Sequence, residues 1–209
     1  MVQSIFEKLI PLYPTHPMHL AFGKNPWQML VAVMLSQRAT DLATIKVSTA
    51  LFKLAPTPNA TVLLSRSQLE EILRPIGFFR QKSKALTQLA TTILEKHNGV
   101  VPLTEQELLA LPQVGRKTAN ILLTMYTNSP QLAVDVHVHR IANRLGLIQT
   151  TTPDQTEEKL TPLLTKQQIK LANQLLVQHG QYICRPISPK CSECAIAPWC
   201  KKVGVTNSR

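Results

Sequence analysis

LPQVGRKTAN, residues 111–120, is the stretch on which the reading of this chain turns. Pro112 ends whatever helix precedes it, because its ring removes a backbone donor and collides with the turn before. Gly115 permits a backbone that approaches a ligand closely. Beyond it, Ala119, Ile121, Leu122, Leu123 and Met125 make a second helix the natural continuation. The stretch therefore reads as helix, tight hairpin, helix. Its oddity is a pair of cations, Arg116 and Lys117, at the start of the second helix, where the helix end is itself partly positive. The amides of such a helix start bind a phosphate without reading base sequence. Lys117 is thus a phosphate-contacting or solvated lysine, or it stands there because its neutral amine is needed.

Outward from the hairpin, the chain reads as helical almost throughout. Ser67 with Glu70, Thr104 with Glu107, and Thr152 with Gln155 have the spacing of reciprocal helix-start caps. Gly77, Gly99, Gly146 and Gly180 each follow an apolar run and are expected to stop helices. NPWQMLVAVMLSQ is apolar nearly all round and predicts a helix in the middle of the core. AVDVHVHR resists. Val134, Val136 and Val138 alternate with Asp135, His137 and His139 as a strand would. The rival reading makes Asp135 the N-cap of a helix through HVHRIANRLG. The local pattern leans to strand.

Composition bounds the function. The 209 residues are enough for one large domain or two small ones, and 44% of them are hydrophobic, as in a globular protein. No apolar run reaches the roughly 18 residues a membrane span needs. The first residues, MVQSIFEKLIPLYP, lack the pattern of a secretory leader, so a cytoplasmic location is expected. Lys and Arg number 23 against 12 Asp and Glu, a formal charge of +11. Such an excess favours a polyanionic partner through release of condensed counterions.

All four cysteines crowd the carboxy-terminal region, as Cys184-x6-Cys191-x2-Cys194-x5-Cys200. A secreted disulfide protein would spread them, so clustered thiols in a reducing compartment point to a metal site. One short knuckle and two longer loops suit a [4Fe–4S] cluster, which takes four thiolates. Zinc is the alternative, although zinc sites usually pair their knuckles. Between the first two cysteines, Arg185 and Lys190 are either phosphate contacts or solvated charge.

The hairpin, the VDVHVHR stretch 18 residues on, the cysteine spacing, and upstream LSQRATD and IGFFRQKSKA together resemble the endonuclease III family of helix-hairpin-helix (HhH-GPD) DNA glycosylases. The likeness spans nearly the whole chain. It implies an all-α fold of two helical domains with a DNA-binding cleft between them. One is a six-helix barrel domain at 20–129 containing the hairpin at about 108–128. The other is an iron–sulfur cluster domain made from 1–19 and 130–209. The likeness also overturns the strand reading, since in that family the aspartate caps a helix. It makes Lys117 an amine nucleophile that attacks C1′ of a damaged nucleotide, desolvation and the helix start both helping to keep the amine neutral. Asp135 becomes its partner carboxylate. Implied DNA contacts are Gln37, Arg38, Phe78, Gln113, Val114, Gly115, Arg116, His137, Arg185 and Lys190. Implied ligands of the [4Fe–4S] cluster are Cys184, Cys191, Cys194 and Cys200. The implied activity is base excision repair: removal of oxidised or ring-saturated pyrimidines from duplex DNA by a monomeric, nucleoid-associated glycosylase and abasic-site lyase.

The sequence departs from the family in places. Gln113 stands where the hairpin usually has a first glycine, at a cost of about 1 kcal/mol if φ is positive there. Arg38 occupies a slot commonly held by Gln, with Gln37 one place earlier. Phe78 replaces a Leu wedge and could stack in the space left by an extruded base, or be a core residue. Val136 replaces Thr after the aspartate. Two other functions compete. A monofunctional mismatch glycosylase typically lacks Lys at the position of Lys117, and a non-catalytic metal-containing DNA-binding module has no use for the Lys117 and Asp135 pair.

Overall fold

The computed structural model describes residues 1–209 and contains helices but no β-strand. It divides into two compact units, Pro17–Thr127 and a discontinuous one made from Met1–His16 with Asn128–Arg209.

The continuous unit is built around α3 (Pro26–Ser36), which follows α2 (Pro17–Phe22). Asn25 starts α3, its side chain accepting from the amides of Trp27 and Gln28, with Pro26 in the favoured first position. Every residue from Met29 to Leu35 is buried, so the helix is apolar on all sides because it is surrounded. Around it pack α2, α4 (Asp41–Leu54) and α9 (Arg116–Tyr126). A long helix, α7 (Phe79–His97), carries α5 (Pro58–Val62) and α6 (Arg66–Leu73) on its flank. The short α8 (Glu105–Leu109) leads into the hairpin before α9.

In the discontinuous unit, α1 (Val2–Leu9) lies against α12 (Lys166–Tyr182), and α10 (Val136–Leu145) packs on α11 (Pro153–Leu160) and α12. Its core joins Ile5, Phe6 and Leu9 from the amino terminus to Val138, Ile141, Leu145, Ile169 and Leu175. Full burial of each such side chain is worth about 1.5–3 kcal/mol. The amino-terminal segment is therefore part of this core.

Several local expectations are corrected. At AVDVHVHR the strand lean of the local pattern gives way to the helix that the family resemblance implied: Asp135 takes the cap position and α10 follows. Ser67 does not cap α6; Ser65 does, in a reciprocal box with Gln68. Thr152 caps α11, but Gln155 answers Thr151, accepting from its amide and hydroxyl at 3.0 Å each. Thr104 caps α8, while Glu107 bonds the Thr104 hydroxyl and not the cap amide. Gly99 and Gly146 sit at helix ends with φ of +78° and +71°. Gly77 and Gly180 do not behave so: Gly77 lies in the turn before α7, and Gly180 is inside α12. There a Cβ would lie 2.4 Å from His137 Nδ1, so the glycine serves close helix packing.

Candidate functional site

The hairpin reads out as expected from its sequence. Gly115 is the N-cap of α9 in an extended conformation, and Arg116 and Lys117 are the first two helical residues. A Cβ on Gly115 would meet no protein atom within 4 Å, so this chain itself does not demand the missing side chain. Arg116 lies 3.9 Å from Glu105 across the turn. Lys117 is exposed. Val114, expected at the DNA, has a buried side chain, and its amide donates to the Leu111 carbonyl.

Gln37, Arg38, Phe78 and Gln113 line one open recess of about 600 Å³, together with Gln81, Lys82, Lys84 and Gln88. Three of these four adopt left-handed backbone conformations: Arg38 at φ 54°, Phe78 at 60° and Gln113 at 62°. For a residue with a Cβ that conformation costs about 1–2 kcal/mol, and such strain gathers where function requires it. Phe78 is 52% exposed, which removes its reading as a core phenylalanine. The Arg38 guanidinium lies 5.3 Å from the centre of its ring, a cation–π contact at the lip of the recess.

On α10, Asp135 Oδ1 accepts from the amides of His137 (2.9 Å) and Val138 (3.0 Å). One carboxylate oxygen thus holds the helix start. Arg140 Nη2 lies 3.0 Å from His137 Nδ1. A guanidinium only donates, so Nδ1 accepts and the other ring nitrogen carries the proton. Arg140 also donates to the carbonyls of Gly180 and Cys184, and Arg144, one turn on, donates to those of Arg185 and Pro186. Two arginines of one helix face so clamp the start of the 185–190 loop. Arg185 donates to the Gln181 carbonyl, and Lys190 pairs with Glu193 at 3.1 Å.

The four cysteines are unpaired with one another and line a single recess with Ile141, Leu145, Ile183, Ile196 and Val205. No three of the chain's His, Cys, Asp or Glu side chains gather tightly enough to chelate a single ion. The four thiols frame a small apolar space. Burial pushes the Cys194 and Cys200 thiols up, so a metal's charge is what would make them thiolates. Three donors point at the sulfurs: Arg144 Nη1 at 3.5 Å from Cys184, His179 Nε2 at 3.6 Å from Cys194, and the Lys202 amide at 3.4 Å from Cys200. His179 is held from behind by the Tyr13 hydroxyl at 2.9 Å. Its burial lowers the imidazole pKa to about 4, and the ring is neutral. Soft sulfur ligands in a dry, donor-lined pocket fit an iron–sulfur centre.

Sequence reasoning missed Lys82, Arg140, Arg144 and His179. Arg140 and Arg144 had a signal in their four-residue spacing on an amphipathic helix. Lys82 and His179 had none, because their partners lie far away in the chain.

The chain thus combines a hairpin that starts a helix, left-handed residues around an open recess, and a four-thiol pocket. The chain belongs to the HhH-GPD superfamily of base excision DNA repair proteins, whose model matches residues 31–166. Its relatives within that superfamily carry the name endonuclease III. That of Thermotoga maritima is 37% identical over 96% of this chain and 92% of its own length. That of Escherichia coli K12 is 34% identical over 89% of this chain and 88% of its own. Among solved structures, a trapped endonuclease III–DNA covalent intermediate matches with a TM-score of 0.85 at 30% identity, over 96% of this chain and 94% of that one. No helix is long and apolar enough to cross a membrane.

Proposed function

We propose that this DNA glycosylase of base excision repair is bifunctional, cutting the glycosidic bond of oxidised or ring-saturated pyrimidines and then nicking the strand. The observation that carries the reading is Lys117 in the first turn of α9, behind a glycine cap, in a chain related to a protein trapped covalently on DNA.

The reaction needs a nucleotide extruded from the duplex, at a cost of roughly a few kcal/mol that is smaller for poorly stacked bases. The amides at the start of α9 grip a phosphate, and the basic surface adds sequence-independent attraction. The neutral Lys117 amine attacks C1′; the glycosidic bond breaks and the base departs with its electron pair, taking up a proton. The C1′–O4′ bond then breaks, O4′ taking up a proton as the sugar ring opens, and the amine loses a proton to leave a C1′=N Schiff base. Loss of a C2′ proton then expels the 3′ phosphate by β-elimination, and water frees the lysine. Asp135 stabilises the positive sugar and moves protons.

Arg38 and Phe78 enter the space the nucleotide leaves, with Gln37 and Gln113 beside them. His137, Arg185 and Lys190 contact the backbone. The thiols of Cys184, Cys191, Cys194 and Cys200 hold a [4Fe–4S] cluster, which shapes the 185–190 loop when bound.

The test is borohydride trapping on lesion-bearing duplex. Wild-type protein links covalently and Lys117→Gln does not, while its fold and visible spectrum persist. Lys117→Gln that nicks at the wild-type rate sinks the assignment of the nucleophile. Wild-type protein that releases the base without trapping is monofunctional.

A further inference from the structure

α3 is buried as far as Leu35, with Ser36 half-buried, and the protein supplies partners to the carbonyls at its end. The Val33 carbonyl accepts from the Ser36 hydroxyl at 2.8 Å, that of Met34 from the Gln37 amide at 3.4 Å, and that of Ser36 from the Ala39 amide at 3.0 Å. The carbonyls of Leu35 and Gln37 both accept from Lys82 Nζ, at 2.8 Å each, from 47 and 45 residues away. Lys82 is 8% exposed, and its ammonium stands on the negative end of a helix, where a cation is favoured. Burial still lowers its pKa. A buried lysine is costly to keep, and its partners here are backbone carbonyls alone.

What those bonds hold is the lip of the recess. The residue after Gln37 is Arg38, left-handed and stacked on Phe78. Phe78 is the N-cap of α7, also left-handed, and its carbonyl accepts the Lys82 amide at 3.0 Å. Lys82 therefore bonds one loop with its side chain and the other with its backbone. Without the ammonium, the buried carbonyl of Leu35 and the partly buried one of Gln37 lose these bonds, and the Arg38–Phe78 stack is left to hold the turn at Gln37 against α7.

We propose that Lys82 is a positioning residue that presents Arg38 and Phe78 to the duplex as one preformed unit, and so sets the preference for DNA with a missing base. The proposal rests on the reading above that these two side chains fill the vacated space. The ordering of two strained residues is completed in the free protein, so binding a gapped duplex does not have to supply it.

Equilibrium binding of the full chain to an undamaged duplex and to one with a tetrahydrofuran abasic analogue tests this, through the ratio of the two Kd values. Phe78→Ala and Arg38→Ala are each expected to lower the preference about fivefold or more, the scale of one lost stacking contact. Lys82→Met, similar in length but without a donor, is expected to lower it to the same level and to add nothing in an Arg38→Ala, Phe78→Ala background. A merely structural role would weaken binding to both duplexes alike and leave the ratio unmoved. Should Lys82→Met not fold, Lys82→Gln, too short to reach both carbonyls, is read in the same way. A folded Lys82 variant with the wild-type ratio, beside Phe78→Ala and Arg38→Ala that lose it, overturns the proposal. If those two variants also keep the ratio, the gap-filling reading has failed and the proposal falls with it.

Discussion

Replacing Gly180 by Ala should destabilise this protein, although the same change inside a helix ordinarily stabilises by about 1 kcal/mol. Gly180 lies within α12, and a Cβ there would sit 2.4 Å from His137 Nδ1 and 2.9 Å from both His137 Cβ and Arg140 Nη2. The arginine tip can swing away. In doing so it leaves the carbonyls of Gly180 (3.2 Å) and Cys184 (2.8 Å) and the His137 ring (3.0 Å). His137 Cβ moves only with α10. Overpacking of this kind costs about 1–3 kcal/mol, and disengaging a charged donor about 1.5–3 kcal/mol. Less the propensity gain, the net loss is roughly 1.5–5 kcal/mol. Urea unfolding of the cluster-loaded protein, followed by circular dichroism, reads this as a lower midpoint at unchanged slope. A midpoint equal to or above wild type would refute the reasoning, since propensity would then have outweighed packing.

Asp135→Asn keeps an oxygen for the amides of His137 and Val138. The helix cap should survive at a cost under about 1 kcal/mol, with lesion binding near wild type and single-turnover base release slower by about 10²–10⁴-fold; weakened binding with normal turnover contradicts it. Tyr126 has a phenol pushed up to about 12 by burial, from a usual 10.0, and its buried oxygen has no hydrogen-bond partner. The folded state keeps a proton that the unfolded chain releases, so stability falls as pH rises from 10 toward 12. Tyr126→Phe should reduce that alkaline loss in melting temperature, and an unchanged slope argues against it. Metal analysis of purified protein should give about four irons per chain with broad visible absorption; one zinc and no iron sinks the cluster.

Much of the candidate site is legible in the sequence, because its motifs are local. The hairpin, the cysteine spacing and the cap residue each declare themselves within a few positions. The alternation at 133–140 misled because two periodicities coincide over so short a run. Val134, Val136 and Val138 fit a strand, and a single carboxylate taking two amides settles them otherwise. Gly180 looked like a stop because glycine ends helices more often than it fills them, and only the approach of α10 explains it. Ser67 and Ser65 both begin plausible caps, and Gln68 decides between them by bonding back to Ser65. Lys82 could not be read at all. Its meaning lies in two carbonyls on another helix, and no pattern within α7 distinguishes it from the solvated lysines nearby.

The unit that holds the thiols is stitched from both ends of the chain, and that gives its assembly an order. Gln3 accepts from Gln168, the Pro14 carbonyl accepts from Gln178, and Tyr13 meets His179. During synthesis the first sixteen residues therefore emerge long before their partners exist, while residues 17–127 can condense as soon as they leave the ribosome. The amphipathic α1 must wait, apolar face unsheltered, until α12 has been made. The cysteines come later still, after the whole of α12. A ribosome stalled within α12 would hold a folded continuous unit, an unpaired first helix and no thiol at all.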